Sequence, residues 1–223
     1  MDVLPVTYWS DPLCIWAFVA QPKLDAIVAE FGACLDISYR VVPVFGSVDW
    51  RFREGPWKAG GVAGRVEATA RVAAEHGHTA ITGAVWQDDP PASSWSPGAA
   101  LKAAFALEDE GLIPPGRAAV YQWALRRRFF EDNVNVARRS EQLALAASLD
   151  LPVVALAERL DDGRALAALW EDQRLREESM IAGSPTWVFD GGRAKLYGNF
   201  DFGVLHATVE QLLGGLAGGC SHC

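Results

Sequence analysis

The fold is decided by residues 3–45, VLPVTYWSDPLCIWAFVAQPKLDAIVAEFGACLDISYRVVPVF. Val3 to Trp9 is rich in β-branched and aromatic residues, which predicts a short strand. Ser10-Asp11-Pro12 is a turn signal that also opens a helix. From Cys14 to Phe31 the apolar residues Trp16, Val19, Leu24, Ile27, Val28 and Phe31 recur at helical spacing. Pro22 lies inside that run, removes a backbone donor and predicts a kink, and Gly32 is the expected stop. Leu35 to Phe45 reads as a second strand, apolar enough to lie centrally in a sheet. Strand, helix and strand over this length predict a parallel βαβ unit.

Beyond this opening the chain changes character. Gly46 to Gly64 reads as a Gly- and Trp-bearing loop, Val66 to Glu75 as a helix, and Gly83 to Pro97 as a polar, turn-like stretch. Helices are expected over Gly98–Glu110, Arg117–Glu131, Arg138–Leu149 and Pro152 to about Met180, the last broken near Asp161-Asp162-Gly163. Thr186–Asp190 and Arg193–Tyr197 flank Gly191-Gly192, a hairpin signal. Val204–Leu213 reads as a final helix, and Gly214 to Gly219 as a linker to Cys220-Ser221-His222-Cys223. No fixed-period repeat is present. Strands at both ends with helices between them imply one split α/β domain, 1–60 and 182–213, hosting an all-helical insertion, 61–181, with a Gly-rich tail at 214–223.

Composition narrows the function. The 223 residues include 20 basic and 28 acidic side chains, a formal charge of −8, with 50% hydrophobic residues. A net-acidic protein of ordinary globular composition is a poor partner for nucleic acid or anionic membrane. No apolar run approaches the ~20 residues a bilayer span needs. Met1 to Ser10 shows no basic segment before an apolar core, so the expectation is a cytoplasmic protein without a cleaved leader. The four cysteines are too few for a disulfide scaffold.

Read together, Asp11-Pro12-Leu13-Cys14-Ile15-Trp16-Ala17 and Gly183-Ser184-Pro185-Thr186-Trp187 resemble two loops of the DsbA family of thioredoxin-like proteins, in particular its FrnE-type branch. That branch is similar to kappa-class glutathione transferases and hydroxychromene-carboxylate isomerases. The resemblance covers residues 3–213, including Arg128-Phe129-Phe130. It implies a thioredoxin-like β-α-β … β-β-α fold with a thiol-dependent site. The first cysteine of the family's C-x-x-C falls on Cys14 and its cis-proline on Pro185. The second cysteine is replaced by Ala17, which puts the dithiol–disulfide cycle in doubt.

A thiol is nucleophilic as the thiolate. A helix N-terminus offers unpaired amides and partial positive charge, so the pKa of Cys14 is expected to fall, with Asp11 turned to solvent. Ser184 and Pro185, with Trp16, Thr186 and Trp187, are the candidate substrate-binding residues. A cis bond there would leave the Ser184 backbone free to pair with a peptide-like substrate. Cys34 is excluded as a partner of Cys14, because eighteen helical residues span about 27 Å and a disulfide needs Cα atoms within about 7 Å. Cys220, His222 and Cys223 are candidate resolving or metal-binding residues, and Cys34, toward the root of that tail, could meet them in a soft-ligand metal site or a disulfide. His76 and His78 are expected at a helix end and His206 on the last helix. Arg126-Arg127-Arg128 is expected as a solvated helix face. The expected activity is monothiol oxidoreduction through Cys14 on thiol or disulfide substrates. No cofactor is required, glutathione is a candidate cosubstrate, and a homodimer is allowed. The rivals are a glutathione-dependent transferase or isomerase and a non-catalytic binding module.

Overall fold

Residues 3–215 are described by a computed structural model. Strand β1 (Leu4–Ser10) leads through a turn to Cys14, the N-cap of α1 (Ile15–Val19). The expected single helix is two, because the chain breaks at Ala20 before α2 (Gln21–Phe31). Pro22 supplies no N–H to the Phe18 carbonyl four residues back, so the helix breaks just before it, where the sequence places the kink, and Pro22 falls in the first turn of α2. Gly32 has an ordinary right-handed φ of −53° and does not cap the helix in left-handed form. The chain tightens into a 3-10 turn, Gly32–Cys34, and enters β2 (Leu35–Val41).

Between β2 and the next strand lie α3 (Val48–Arg53), α4 (Gly61–Glu75), α5 (Val85–Asp88), α6 (Trp95–Asp109), α7 (Arg117–Phe130), α8 (Arg139–Ser148), α9 (Val153–Asp161) and α10 (Arg164–Glu178). Two stretches expected as loops contain helix. Ser47 caps α3 by accepting the Trp50 amide on its hydroxyl at 3.2 Å, a Ser N-cap. Pro97 lies in the first turn of α6, where proline is tolerated. The chain closes with β3 (Thr186–Phe189), β4 (Ala194–Tyr197) and α11 (Phe202–Gly214). Asp190, Gly191 and Gly192 all have positive φ between β3 and β4, which explains the two glycines.

The sheet order is β2-β1-β3-β4, with β1 and β2 parallel and both other pairs antiparallel. Strand β2 is therefore an edge strand, not the central one its apolar content suggested. Asp36, Ser38 and Arg40 alternate with Ile37, Tyr39 and Val41, the pattern of a half-exposed strand. Alternation also divides the core. Leu4, Val6, Tyr8, Trp187 and Phe189 pack under Leu24, Ile27 and Phe31 of α2 and Leu205, Val209 and Leu212 of α11. Trp9 and Val188 point to the other side, against Val42 and Ile181. A larger cluster joins Leu13, Ala17 and Phe18 to Trp86, Leu101, Tyr121 and Phe129 of the insertion. The helix that follows Cys14 is thus built into the insertion's core.

A buried polar anchor locks α10 to the sheet. The Asp172 carboxylate has no exposure and accepts the Val41 amide at 2.8 Å, Arg40 at 2.9 Å and Lys102 at 3.0 Å. No helix among the described residues is long and apolar enough to cross a membrane.

Candidate active site

The site forms where β1 hands over to α1. Cys14 is a free thiol and only 5% exposed. Its Sγ donates to the carbonyl oxygen of Ser184 at 3.3 Å, and the Ser184–Pro185 peptide is cis. The two loops are tied a second time, since the Asp11 amide donates to the Ser184 hydroxyl at 2.8 Å. Residues 170 positions apart thus face each other across the end of the sheet. At Gly183 a Cβ would lie 3.0 Å from the Tyr197 hydroxyl, so the missing side chain leaves room for that ring against the loop.

The thiol lines a cleft of about 340 Å³, bounded by Trp16, Phe45, Trp57, Gly183, Ser184 and Tyr197 and by the guanidinium groups of Arg51, Arg65 and Arg176. Trp16 and Tyr197 are 41% and 58% exposed and form its rim. The arginines and Trp57 come from segments in which the sequence offered no site signal. Arg51 and Trp57 belong to the stretch expected as loop.

The pKa of Cys14 moves opposite to expectation. Burial pushes the thiol up from 9.0, and Asp11 adds to the rise. The Ser184 hydroxyl and the Trp16 and Ala17 amides pull it down, so the sulfur does face the helix N-terminus. Desolvation of the charged form outweighs them, since the thiol is only 5% exposed and α1 has only five residues. Asp11 is fully buried and does not turn to solvent. Its carboxylate accepts the Leu13 and Val44 amides at 2.7 Å each and the Ser94 hydroxyl at 2.6 Å. Burial outweighs these bonds and raises its pKa from 3.8 to about 6.

The folded state therefore holds the Asp11 proton more tightly than the unfolded chain. Its contribution to stability is fully present below pH 3.8 and lost as pH rises through about 6. The difference between these two values is worth on the order of 3 kcal/mol. A carboxyl-carbon NMR titration is expected to place the Asp11 midpoint near 6. A midpoint at the ordinary carboxylate value would contradict this account.

The other expected residues separate into two groups. Ser184 and Pro185 stand beside Cys14. Thr186 is buried and donates its hydroxyl to the Gly183 carbonyl at 2.8 Å, shaping the loop. Trp187 is not in the cleft: it is 2% exposed, packed against Tyr8 and Phe189. One residue of strand register places it under α2 and α11. Arg126 is likewise not solvated. It is fully buried, donating to Ser10 Oγ at 2.6 Å and Gln21 Oε1 at 3.2 Å. The helical repeat puts Arg126 on one face with Gln122, Phe129 and Phe130. Arg127 and Arg128 point outward and pair with Glu131 and Asp132.

His76 closes α4 as expected, its Nε2 2.8 Å from the Asn199 amide. His206 is at the surface between Glu30 and Glu210. Cys34 precedes Leu35, which pairs with Leu4. The seven-residue β1 therefore separates it from the Cys14 loop by about 20 Å of strand. Among the described residues no group of three or more His, Cys, Asp or Glu side chains could hold a metal. Cys220, His222 and Cys223 lie outside the described residues.

A thiol at the first turn of a helix, facing a cis-proline loop across a four-stranded sheet, defines a thioredoxin-like class of protein. The chain belongs to the DSBA-like thioredoxin domain family, whose model matches residues 5–210. This is a family of thiol–disulfide oxidoreductases acting on thiol or disulfide substrates. The chain is 27% identical over 219 residues to the ClpXP adapter protein SpxH of Halalkalibacterium halodurans, covering 95% of this chain and 68% of that protein. Its structure is similar to the cytosolic disulfide reductase DsbM of Pseudomonas aeruginosa, with 23% identity, a TM-score of 0.68 and coverage of 93% and 99%. DsbM has also been solved with GSH. A 2-hydroxychromene-2-carboxylate isomerase superposes with 16% identity, a TM-score of 0.66 and coverage of 96% and 98%. At these identities the structural likeness speaks to the fold alone.

Proposed function

We propose that this protein is a monothiol disulfide oxidoreductase working through Cys14. The Cys14 thiolate attacks one sulfur of a disulfide RS–SR. A bond from Cys14 to one RS half forms and the RS–SR bond breaks. The second half leaves as a thiolate and takes up a proton from solvent, matching the one Cys14 lost. A second thiol then displaces the bound half and restores Cys14. The observation that carries this reading is the free Cys14 thiol in an open cleft, hydrogen-bonded to the carbonyl that precedes Pro185. Ala17 stands where a resolving thiol would be, so release falls to an external thiol. Glutathione is the cosubstrate we assign, a choice supported by DsbM having been solved with GSH. Exchange conserves electrons, so the cycle needs no cofactor. The cytoplasm, where reduced thiols are abundant, suits this cycle, and DsbM is described as cytosolic.

Incubation with oxidised glutathione, followed by peptide mapping, tests the reading. Glutathione is expected on Cys14 and is expected to be removed by reduced glutathione. The rate is expected to climb about tenfold per pH unit through neutrality, because attack needs the thiolate and burial holds the thiol above its usual range. A rate already flat below pH 7 would show a thiolate that burial does not disfavour. Two rivals give different results. A glutathione-dependent transferase or isomerase binds glutathione reversibly without the adduct. A binding module does neither, a reading supported by the adapter role of the relative SpxH.

A further inference from the structure

We infer that the cleft beside Cys14 selects small disulfides bearing a carboxylate close to the sulfur; the inference rests on the oxidoreductase reading and names its substrate class. Arg51, Arg65 and Arg176 line the cleft with the thiol, and among the described residues no Asp or Glu lines it. This is a basic cleft in a chain of formal charge −8, so it does not follow from the protein's overall charge.

Arg51 and Arg65 share two rings, and Arg65 also lies 4.7 Å from the centre of Trp86. The Arg51 guanidinium lies 5.0 Å from the centre of Phe45 and 5.1 Å from Trp57. That of Arg65 lies 4.5 Å from Trp57 and 5.7 Å from Phe45. Ring faces attract each cation but do not neutralise it. Among the described residues neither makes a salt bridge. Arg51 donates to the Val44 carbonyl and Arg176 to that of Ile181, while the buried Arg65 Nε has no hydrogen-bond partner. Asp11 is the acid whose charge reaches both Arg51 and Arg65. It sits behind the cleft with its oxygens committed to Leu13, Val44 and Ser94. Two cations held together with unused donors are a site awaiting an anion, and guanidinium forks match a carboxylate. The volume of about 340 Å³ suits a small molecule.

The exchange is the one already written, with the carboxylate on the half held near the arginines. The test compares dithiodiglycolate, bis(2-hydroxyethyl) disulfide and cystamine, which carry anionic, neutral and cationic groups at similar size. The second-order rate of Cys14 modification is expected to be about tenfold or more higher for dithiodiglycolate than for the neutral disulfide, with cystamine slowest, the range a focused charge produces. Arg65→Met is expected to collapse this ordering. Should that variant fail to fold, the intact protein answers. Near 1 M salt, where the Debye length is about 3 Å, the anionic advantage is expected to shrink while the neutral rate holds. Equal rates for all three disulfides, or an advantage for cystamine, overturn the anion assignment and leave the oxidoreductase reading standing. No modification of Cys14 by any of them overturns both.

Discussion

Cys14→Ser is expected to abolish adduct formation with oxidised glutathione at position 14 and to reduce exchange to background, while the fold is kept. A serine oxygen forms no disulfide and is a weak nucleophile without an adjacent base. Among the described residues no histidine lines the cleft to serve as one. The substitution nearly conserves volume at a residue 5% exposed, and a hydroxyl still donates to the Ser184 carbonyl that now takes the thiol. Intact mass, peptide mapping and a turnover assay with a small disulfide read the outcome. Substantial remaining turnover would point instead to a transferase or isomerase that activates glutathione without bonding to it. No turnover by either form would point to a binding module.

Asp172→Ala is expected to cost roughly 3–5 kcal/mol of folding stability, the range for removing one partner of a buried ion pair. Lys102 is 10% exposed at its side chain and loses the carboxylate it donates to. The Val41 amide loses its acceptor at the end of β2. Only Arg40, 35% exposed, can recover hydration. Chemical denaturation of both proteins measures the difference. Because Asp172 ties α10 to β2, and the segment after α10 carries Ser184, weakening this anchor is also expected to slow Cys14 exchange. An effect under about 1 kcal/mol, the usual size for a surface pair, would mean the anchor is solvated.

How much of this was legible in the chain follows from the range of the forces involved. The opening βαβ unit and the Gly-Gly hairpin came through because strand propensity, helical spacing and turn chemistry act within a few residues. Helices α6 to α10 and most of α4 came through for the same reason, whereas α3 and α5 lie in stretches expected as loop. Where expectation and structure part, a longer-range term had the last word. Strand β2 sits at the edge although its apolar content suggested the centre, since β3 takes the other side of β1. Trp187 was assigned to the substrate groove by its nearness to Pro185 in sequence, and strand alternation carried it to the opposite layer. Arg126 looked solvated as part of a charge run, yet its neighbours four residues back and three and four ahead are core residues.

Local patterning placed Cys14 at a strand-to-helix junction, while the resemblance to the DsbA family marked Pro185 as the second loop and Ala17 as standing in place of a resolving thiol. All three lie on short stretches whose geometry depends on nearest neighbours. Nothing in those stretches reveals that burial lifts the pKa of the thiol above its usual value, that Asp11 is trapped behind it, or that Arg51, Arg65 and Arg176 converge on the same cleft. Charge and solvation depend on what comes near in space, and here that is assembled from α3, α4, α10 and two loops 170 residues apart. Desolvation is a property of the assembled surroundings, so it enters only when the chain has closed on itself.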